Sequence, residues 1–443
     1  MSLALRPSGV RWIGDIPADW KISRSKRLFA HRNQRATAQH EQMTASQQYG
    51  VIYQNDYERL TGMRVMQVIH NKEILKLVEA GDFVISMRSF QGGLEYSPYT
   101  GAVSSAYVAL KPSQTIEPRF YKHLFKSELY IQALQATSNL VRDGQALRYS
   151  NFEQVDLPLP PVNQQRLIAD FLDRETAKID GLIEEQETLI SLLQEKRQTV
   201  ISHAVTKGLD PDAPMKPSGI DWLGDIPAHW DRTQVGRLCS DVADGPHFSP
   251  KYVDEGYMFI SARNVRVDGW QFDDAKFISE GNFHEFCKRI RPRRGDVLYT
   301  KGGTTGVARA VDFDEPFQVW VHIAVLRVIQ KKADPFYVAY ALNSIQCYEQ
   351  SQLHTRGATN QDLGLTRLIK IWLALPPLDE QRTIVAKLDK TLKNFDDLIC
   401  DSGKAVELLK ERRAALISAA VTGKIDVRGL AIQSEKQAEE VAA

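Results

Sequence analysis

At 443 residues the chain is about three times the length of a typical domain, so two or three domains are expected. Lys and Arg total 56 against 55 Asp and Glu, which excludes a uniformly basic coat, a long acidic tail and a polybasic membrane anchor but permits local basic faces. With 43% hydrophobic and 25% charged residues the chain can bury a core, and no apolar run approaches the roughly 20 residues of a membrane helix.

The chain opens on PSGVRWIGDIPADW (7–20), a short segment punctuated by Pro and Gly that reads as a loop with aromatic anchors. It returns as PSGIDWLGDIPAHW (217–230), with ten of fourteen positions identical at an offset of 210. Trp12, Trp20, Trp222 and Trp230 are read as packing plugs rather than base-stacking residues. Residues 21–36 then carry Lys21, Arg24, Lys26, Arg27, Arg32 and Arg35 with no acid. Gly81-Asp82 leads into VISMRSF (84–90), whose alternation predicts a strand and whose loop carries Arg88. A helical stretch near 118–137 precedes SNLVRDGQALRYSN (138–151), a loop bearing Arg142 and Arg148.

LPLPPVNQQRLIADFLD (157–173) opens a long proline-free stretch with apolar positions at Ile168, Leu172, Ile179, Leu182, Leu189, Leu193 and Val200. Steps of three and four give a heptad seam, interrupted at Glu175, Gln186 and Lys196. Asn163 sits where an N-cap is wanted and Gly208 where the helix should stop. From Asn163 to Thr206 such a helix is about 65 Å long at ~1.5 Å per residue. The stretch GLDPDAPMKPSG (208–219) is a linker.

The second copy follows the same plan. KRIRPRRGDVLYTK (288–301) holds Arg291, Arg293, Arg294 and Lys301 around Gly295-Asp296, which echoes Gly81-Asp82 at an offset of 214. VWVHIAVLRVI (319–329) reads as a strand, 334–353 as helical, and HTRGATNQDLGLTR (354–367) as a loop with Arg356, Asn360 and Arg367. LALPPLDEQRTIVAKLD (373–389) opens a second seam of Ile384, Leu388, Phe395, Leu398, Ala405, Leu409 and Leu416, with Asp379 at the cap and Gly423 at the stop. The polar tail from Ala431 is expected to be frayed. One helix alone would leave its seam wet. Two equivalent helices can bury their seams on each other, antiparallel if a pseudo-two-fold axis relates the repeats, although a bundle within one domain would also serve.

Two units of about 210 residues are too long for a solenoid array. Their frames match while 21–156 and 231–372 barely do, which suits one scaffold presenting two different recognition surfaces. The inserts are locally basic, whereas the first helix is crowded with Asp170, Asp173, Glu175, Asp180, Glu184, Glu185 and Glu187. Arg, Asn and Gln on loops can make bidentate contacts to purine edges while nearby cations fix the register on phosphates. Catalytic patterns are missing: no phosphate-binding G-x-x-x-x-G-K-[ST], no [DN]-P-P-[YF], no G-x-S-x-G. Cys239, Cys287, Cys347 and Cys400 lie far apart without a C-x-x-C, and the histidines lack zinc spacing. Reduced thiols in a cytoplasmic protein, with no metal site and no secretory leader, are therefore expected.

With these features the chain resembles the specificity subunits of type I DNA restriction–modification systems. The resemblance rests on the duplicated PSG-x-x-W-[IL]-G-D-I-P-A-x-W segments, the L-P-P-x-x-x-Q-R segments (159–166, 375–382), GDFVISMRSFQGG, GDVLYTKGGTTG and RGATNQDL (356–363). Asn163-Gln164 departs from the acidic pair usual there, which the second copy keeps as Asp379-Glu380. The resemblance implies a duplicated α/β (α+β) chain: two globular target recognition domains separated by two long antiparallel coiled-coil helices, with pseudo-two-fold symmetry. The expected division is 1–156 and 211–372 for the recognition domains and 157–210 and 373–430 for the helices. It further implies a non-catalytic reader of an asymmetric bipartite site on double-stranded DNA. Two methyltransferase subunits and motor-endonuclease subunits would dock on it, and those partners would carry the S-adenosylmethionine, ATP and magnesium chemistry. Candidate DNA contacts are Arg24, Arg27, Arg88, Arg142, Arg148, Arg291, Arg293, Arg294, Lys301, Arg356, Asn360 and Arg367. The rival readings are a stand-alone nuclease or methyltransferase and a coiled-coil scaffold that binds only proteins.

Overall fold

The structure, a computed structural model, describes residues 4–68, 72–86, 88–137, 147–303, 305–354 and 362–428. The loop residues Arg142, Arg356 and Asn360 and the tail from Ala431 lie outside the described residues. The chain divides into two compact units, Met1–Glu185 with Ala405–Ala443, and Gln186–Lys404.

In the first unit, β1 (Lys21–Arg24), β2 (Phe29–His31), β3 (Phe83–Ile85), β4 (Glu95–Tyr96), β5 (Val108–Pro112) and β6 (Asp156–Leu159) are the framing strands. The strand after the first Trp segment, β1, pairs antiparallel with β6, just before Pro160-Pro161. Strands β2, β5, β3 and β4 form an antiparallel sheet in that order. Helices α1 (Pro118–Lys126) and α2 (Glu128–Gln135) follow. Alternate side chains of the sheet point to opposite faces. Phe83, Ile85 and Leu110 join Phe29, Phe120, Tyr121, Phe125, Tyr130 and Phe152 in one core, while Val84 and Ala109 join Met43, Val51, Val78 and Val103 in a second. Because both faces are covered there, the inner strand β3 is apolar throughout.

Helix α3 (Val162–Lys207) begins in this unit. Its Ile168, Ala169 and Leu172 share the first core with Ile417, Ala420 and Val421 from the end of the chain. Further along, Arg413 Nε donates to Asp180 at 2.8 Å, so the two helical stretches run antiparallel.

The second unit repeats this frame with β7 (Asp231–Gln234), β8 (Cys239–Asp244), β9 (Asp296–Thr300), β10 (Ala308–Ala310), β11 (Ile323–Val328) and β12 (Trp372–Leu375). Strand β7 pairs with β12, and β8, β11, β9 and β10 form the antiparallel sheet in that order. Helices α4 (Pro335–Leu342) and α5 (Ile345–His354) follow, then α6 (Leu378–Val421). Val297, Tyr299, Ala324 and Leu326 pack with Tyr337, Ile201, Val205, Ile384 and Leu388, while Leu298, Ile323 and Val325 face the other way. Here too the helices pair antiparallel, with Arg197 Nε on Asp396 at 3.1 Å.

The repeated motifs have matching jobs in both units. Gln165 and Gln381 are fully buried in the first turns of the long helices. Gln165 donates to Pro160 O at 2.7 Å and accepts from Glu117 N at 2.8 Å. Gln381 does the same with Pro376 O and Asp334 N, both at 2.8 Å. Each glutamine thus clasps the Pro-Pro turn to the N-terminus of the helix above the sheet. Trp20 and Trp230 are buried, their Nε1 atoms donating to Gln164 and Glu380; Trp12 is half-buried and Trp222 is exposed.

Two expectations change. The long helices start at Val162 and Leu378, so the Pro161 and Pro377 carbonyls accept the first helical bonds and Asn163 and Asp379 lie inside the first turn. The seam also shifts in mid-helix: Leu182, Leu189 and Leu398 are exposed, and Ile183, Ile190 and Ile399 are the more buried neighbours. An apolar residue stands at both adjacent positions each time, so spacing alone could not choose between them. Ile168, Leu172, Ile179, Ile384 and Leu388 are buried, while Leu193, Phe395, Leu409 and Leu416 are half-buried.

Candidate nucleic-acid interface

The echo GDFVIS/GDVLYT marks a buried ion pair at the start of the same strand in each unit. Asp82 accepts Arg32 Nε and Nη2 at 2.5 and 3.0 Å and the Glu79 N–H at 2.9 Å. Asp296 accepts Arg327 Nε and Nη2 at 3.2 and 3.0 Å and the Arg293 N–H at 3.1 Å. Burial pushes the Asp82 carboxyl up, and Arg32 pulls part of the way back. The basic run 21–36 is therefore no single face, since Arg32 is spent internally.

The run 288–301 divides as well. Arg291, Arg293 and Arg294 are exposed before β9, with Arg294 on Asp314 at 3.2 Å. Lys301 lies past the far end of that strand and is only 5% exposed, between Asp244 Oδ2 at 3.2 Å and Asp362 Oδ1 at 3.3 Å. In the free chain its ammonium is taken up by these two carboxylates rather than presented to solvent. Its counter-ions lie about 60 residues away along the chain, so local charge counting could not find them. Arg367 is half-buried and donates to Asp362 O at 3.1 Å, which brings it beside Lys301.

Among the other expected contacts, Arg24 sits on the framing strand β1, bonded to Asp156 at 3.2 Å and Gln154 O. Arg27, Arg88 and Arg148 are exposed; Tyr149, beside Arg148, stacks on His31 at 5.7 Å. Sequence reasoning missed the β8–loop junction. Between the buried Pro246 and Pro250, His247, Phe248 and Ser249 project outward, with Phe248 59% exposed against Phe286. The two prolines bracketing an aromatic residue were the available signal.

Each unit also has a cleft between its sheet edge and its helix pair. In the first, about 680 Å³, Glu95, Lys126, His123, Asp173 and Arg413 line the walls. Glu95 is buried with Oε1 on Lys126 at 2.7 Å and Oε2 without a partner among the described residues. Burial raises its carboxyl, and Lys126 partly offsets that. His123 Nε2 lies 2.8 Å from Asp173, and burial holds the imidazole below its usual value, so a neutral ring donates to the carboxylate. Burial works to raise Asp173, but His123 and Lys122 prevail and hold it at about 2. In the second unit the corresponding space is two adjoining cavities of about 660 and 280 Å³, meeting at Val267. Arg309 stands where Glu95 does, opposite Leu298 as Glu95 is opposite Val84, and Tyr340 replaces His123, donating to Asp389 at 2.5 Å.

Among the described residues no group of three His, Cys, Asp or Glu could hold a metal ion, and no helix is long and apolar enough to cross a membrane. The type I restriction modification DNA specificity domain matches residues 17–191 and again 244–407, one copy for each sheet. The chain belongs to that family. Specificity domains of this type are the DNA-recognising, non-catalytic components of restriction–modification complexes. Among curated relatives, the type I restriction enzyme MjaVIII specificity subunit of Methanocaldococcus jannaschii is 23% identical, covering 82% of this chain and 83% of its own. The EcoKI specificity subunit of Escherichia coli is 21% identical over 78% and 75%. A solved chain from a study of complex assembly and conformational transition in a type I system has a TM-score of 0.69 at 18% identity, covering 93% of this chain and 99% of that one. The HsdS subunit of Thermoanaerobacter tengcongensis has a TM-score of 0.52 at 17% identity, covering 93% and 98%. At these identities the solved chains show the specificity-subunit fold alone.

Proposed function

We propose that this specificity chain reads an asymmetric, split DNA site, one half per recognition domain, with the long helices setting the distance between the halves. The observation that supports it most is the duplicated sheet carrying different additions. The first has a hairpin, Met43–Ser46 with Gly50–Tyr53, and a helix, Gln54–Thr61. The second has a separate four-stranded sheet in which Tyr257–Ile260 runs parallel to Phe317–Val319. A common frame with unlike additions suits two readers of unlike half-sites. Exposed Arg27, Arg88, Arg148, Arg291, Arg293 and Arg294, together with Arg356, Asn360 and Arg142, are the proposed DNA-contacting set. Two methyltransferase subunits and motor-endonuclease subunits act in the cytoplasm at the site so chosen, and supply the S-adenosylmethionine, ATP and magnesium chemistry.

Helix α3, with 46 residues, is ~69 Å long at 1.5 Å per residue. That compares with roughly 34–36 Å per turn of B-DNA, so half-site centres should lie between one and two turns apart. The test is to map methylated positions in DNA exposed to this chain with its methyltransferase partners. Two constant half-sequences of different composition, separated by a fixed unread gap, are expected. Removing one heptad from both long helices should then shorten the gap or abolish methylation. An unsplit or palindromic site, or methylation by this chain alone, would overturn the reading.

A further inference from the structure

The buried Lys301 ammonium is an unusual use of charge. Taking both ions out of water costs several kcal/mol each, and such a pair seldom stabilises more than an apolar replacement would. Its geometry, however, ties the ends of several segments together. Asp244, at the end of β8, takes the Lys301 ammonium, both the Nη2 of Arg289 and, through its carbonyl, that residue's Nε, and lies 3.4 Å from His247 Nε2. Burial works to raise this carboxyl, but Lys301 and Arg289 hold it below the ordinary value.

The Lys301 main chain completes the knot. Its N–H donates to His322 O and its carbonyl accepts from Leu363 N, both at 2.8 Å, and Gly302 bridges to Asp362. Close packing seals it: a Cβ on Gly245 would overlap the Val319 carbonyl, and one on Gly302 would overlap the His322 ring. His247 and Phe248 project from this knot, and Arg367 braces Asp362 behind it.

We propose that Lys301 and Asp244 are positioning residues of the second recognition domain. They lock the strand-end loops 245–250, 301–303 and 362–367 into one reading geometry without themselves touching DNA. The proposal rests on the split-site reading and deepens it by naming what fixes the shape of one reader. Position 301 corresponds in sequence to Met87 at the offset of 214, and Met87 lies outside the described residues.

The test uses the full chain assembled with its methyltransferase partners. Binding is measured to the cognate duplex and to duplexes altered in one half or the other, over a range of salt. Lys301→Met keeps an unbranched side chain and removes the charge. It should reduce discrimination at the half read by the second domain about tenfold, the scale of one lost base-pair preference, and leave the other half unchanged. Because no phosphate contact is lost, the slope of log K against log salt should stay the same. A slope smaller by about one would make Lys301 a phosphate contact and overturn the proposal. Undiminished discrimination at that half, or equal loss at both halves, would overturn it too. Asp362→Asn keeps the Lys301–Asp244 pair and should give the same pattern more weakly, so the proposal is still decided if Lys301→Met does not fold. A wild-type complex with no half-site discrimination would instead refute the split-site reading.

Discussion

The two units share what is buried and differ in what is presented. Both build a four-stranded antiparallel sheet in the same order, open its second strand in sequence with a Gly-Asp turn, and clasp a Pro-Pro corner with a glutamine. Both brace their helix pair with an Arg–Asp bridge, Arg413–Asp180 in one and Arg197–Asp396 in the other. Yet Glu95 in one cleft is replaced by Arg309 in the other, and the added strands are arranged differently. Backbone-clasping side chains are fixed by geometry that any change would break, whereas loop and cleft residues are free to follow the ligand.

The comparison can be broken at the buried ion pairs first. Asp82→Ala leaves Arg32, 8% exposed, without its main partner and should cost about 3 kcal/mol or more. Asp296→Ala leaves Arg327, 22% exposed, with water access and should cost less. Denaturant unfolding of each variant measures this, and equal losses would show that burial of the arginine does not set the difference. Next, Gln165→Ala and Gln381→Ala each delete the same two clasping hydrogen bonds, Gln381 also a long one to Lys332 O, and should cost about 2 kcal/mol apiece. Here equality is the expected result, and a gap larger than about 1 kcal/mol would mean the two frames are not equivalent.

The smallest effect concerns acid. Asp173 is held below its unfolded value, so its contribution is fully present above about pH 4 and is lost as pH falls through about 2. The stability gap between the native chain and Asp173→Asn should therefore close over that window. A gap that stays constant from pH 5 to 2 would remove the His123–Asp173 pair as the cause.

Much of the frame was legible in the sequence, because Trp segments, Pro-Pro corners and long heptads are local patterns. The duplicated sheet was legible only in part. Alternation in VISMRSF (84–90) pointed to a strand, but the strand is Phe83–Ile85, three residues buried on both faces, and Ser89–Gly92 is helical. The site was legible only in part. Arg32 and Lys301 look like surface cations in a window of fifteen residues, and only the fold supplies Asp82 and Asp244. Lost register at Leu182, Leu189 and Leu398 has a simpler origin, an isoleucine beside each leucine.

The assignment of residues 405–421 to the first unit bears on how the chain matures. Gln186–Lys404 is one uninterrupted stretch and can condense as soon as it is made. The first unit cannot, because Ile417, Ala420 and Val421 complete the core around Trp20, Ile168 and Leu172. More than two hundred residues must emerge before that surface is covered. The reader synthesised first is thus the last to be finished, and until then its half-built core is the exposed apolar surface that a chaperone would bind.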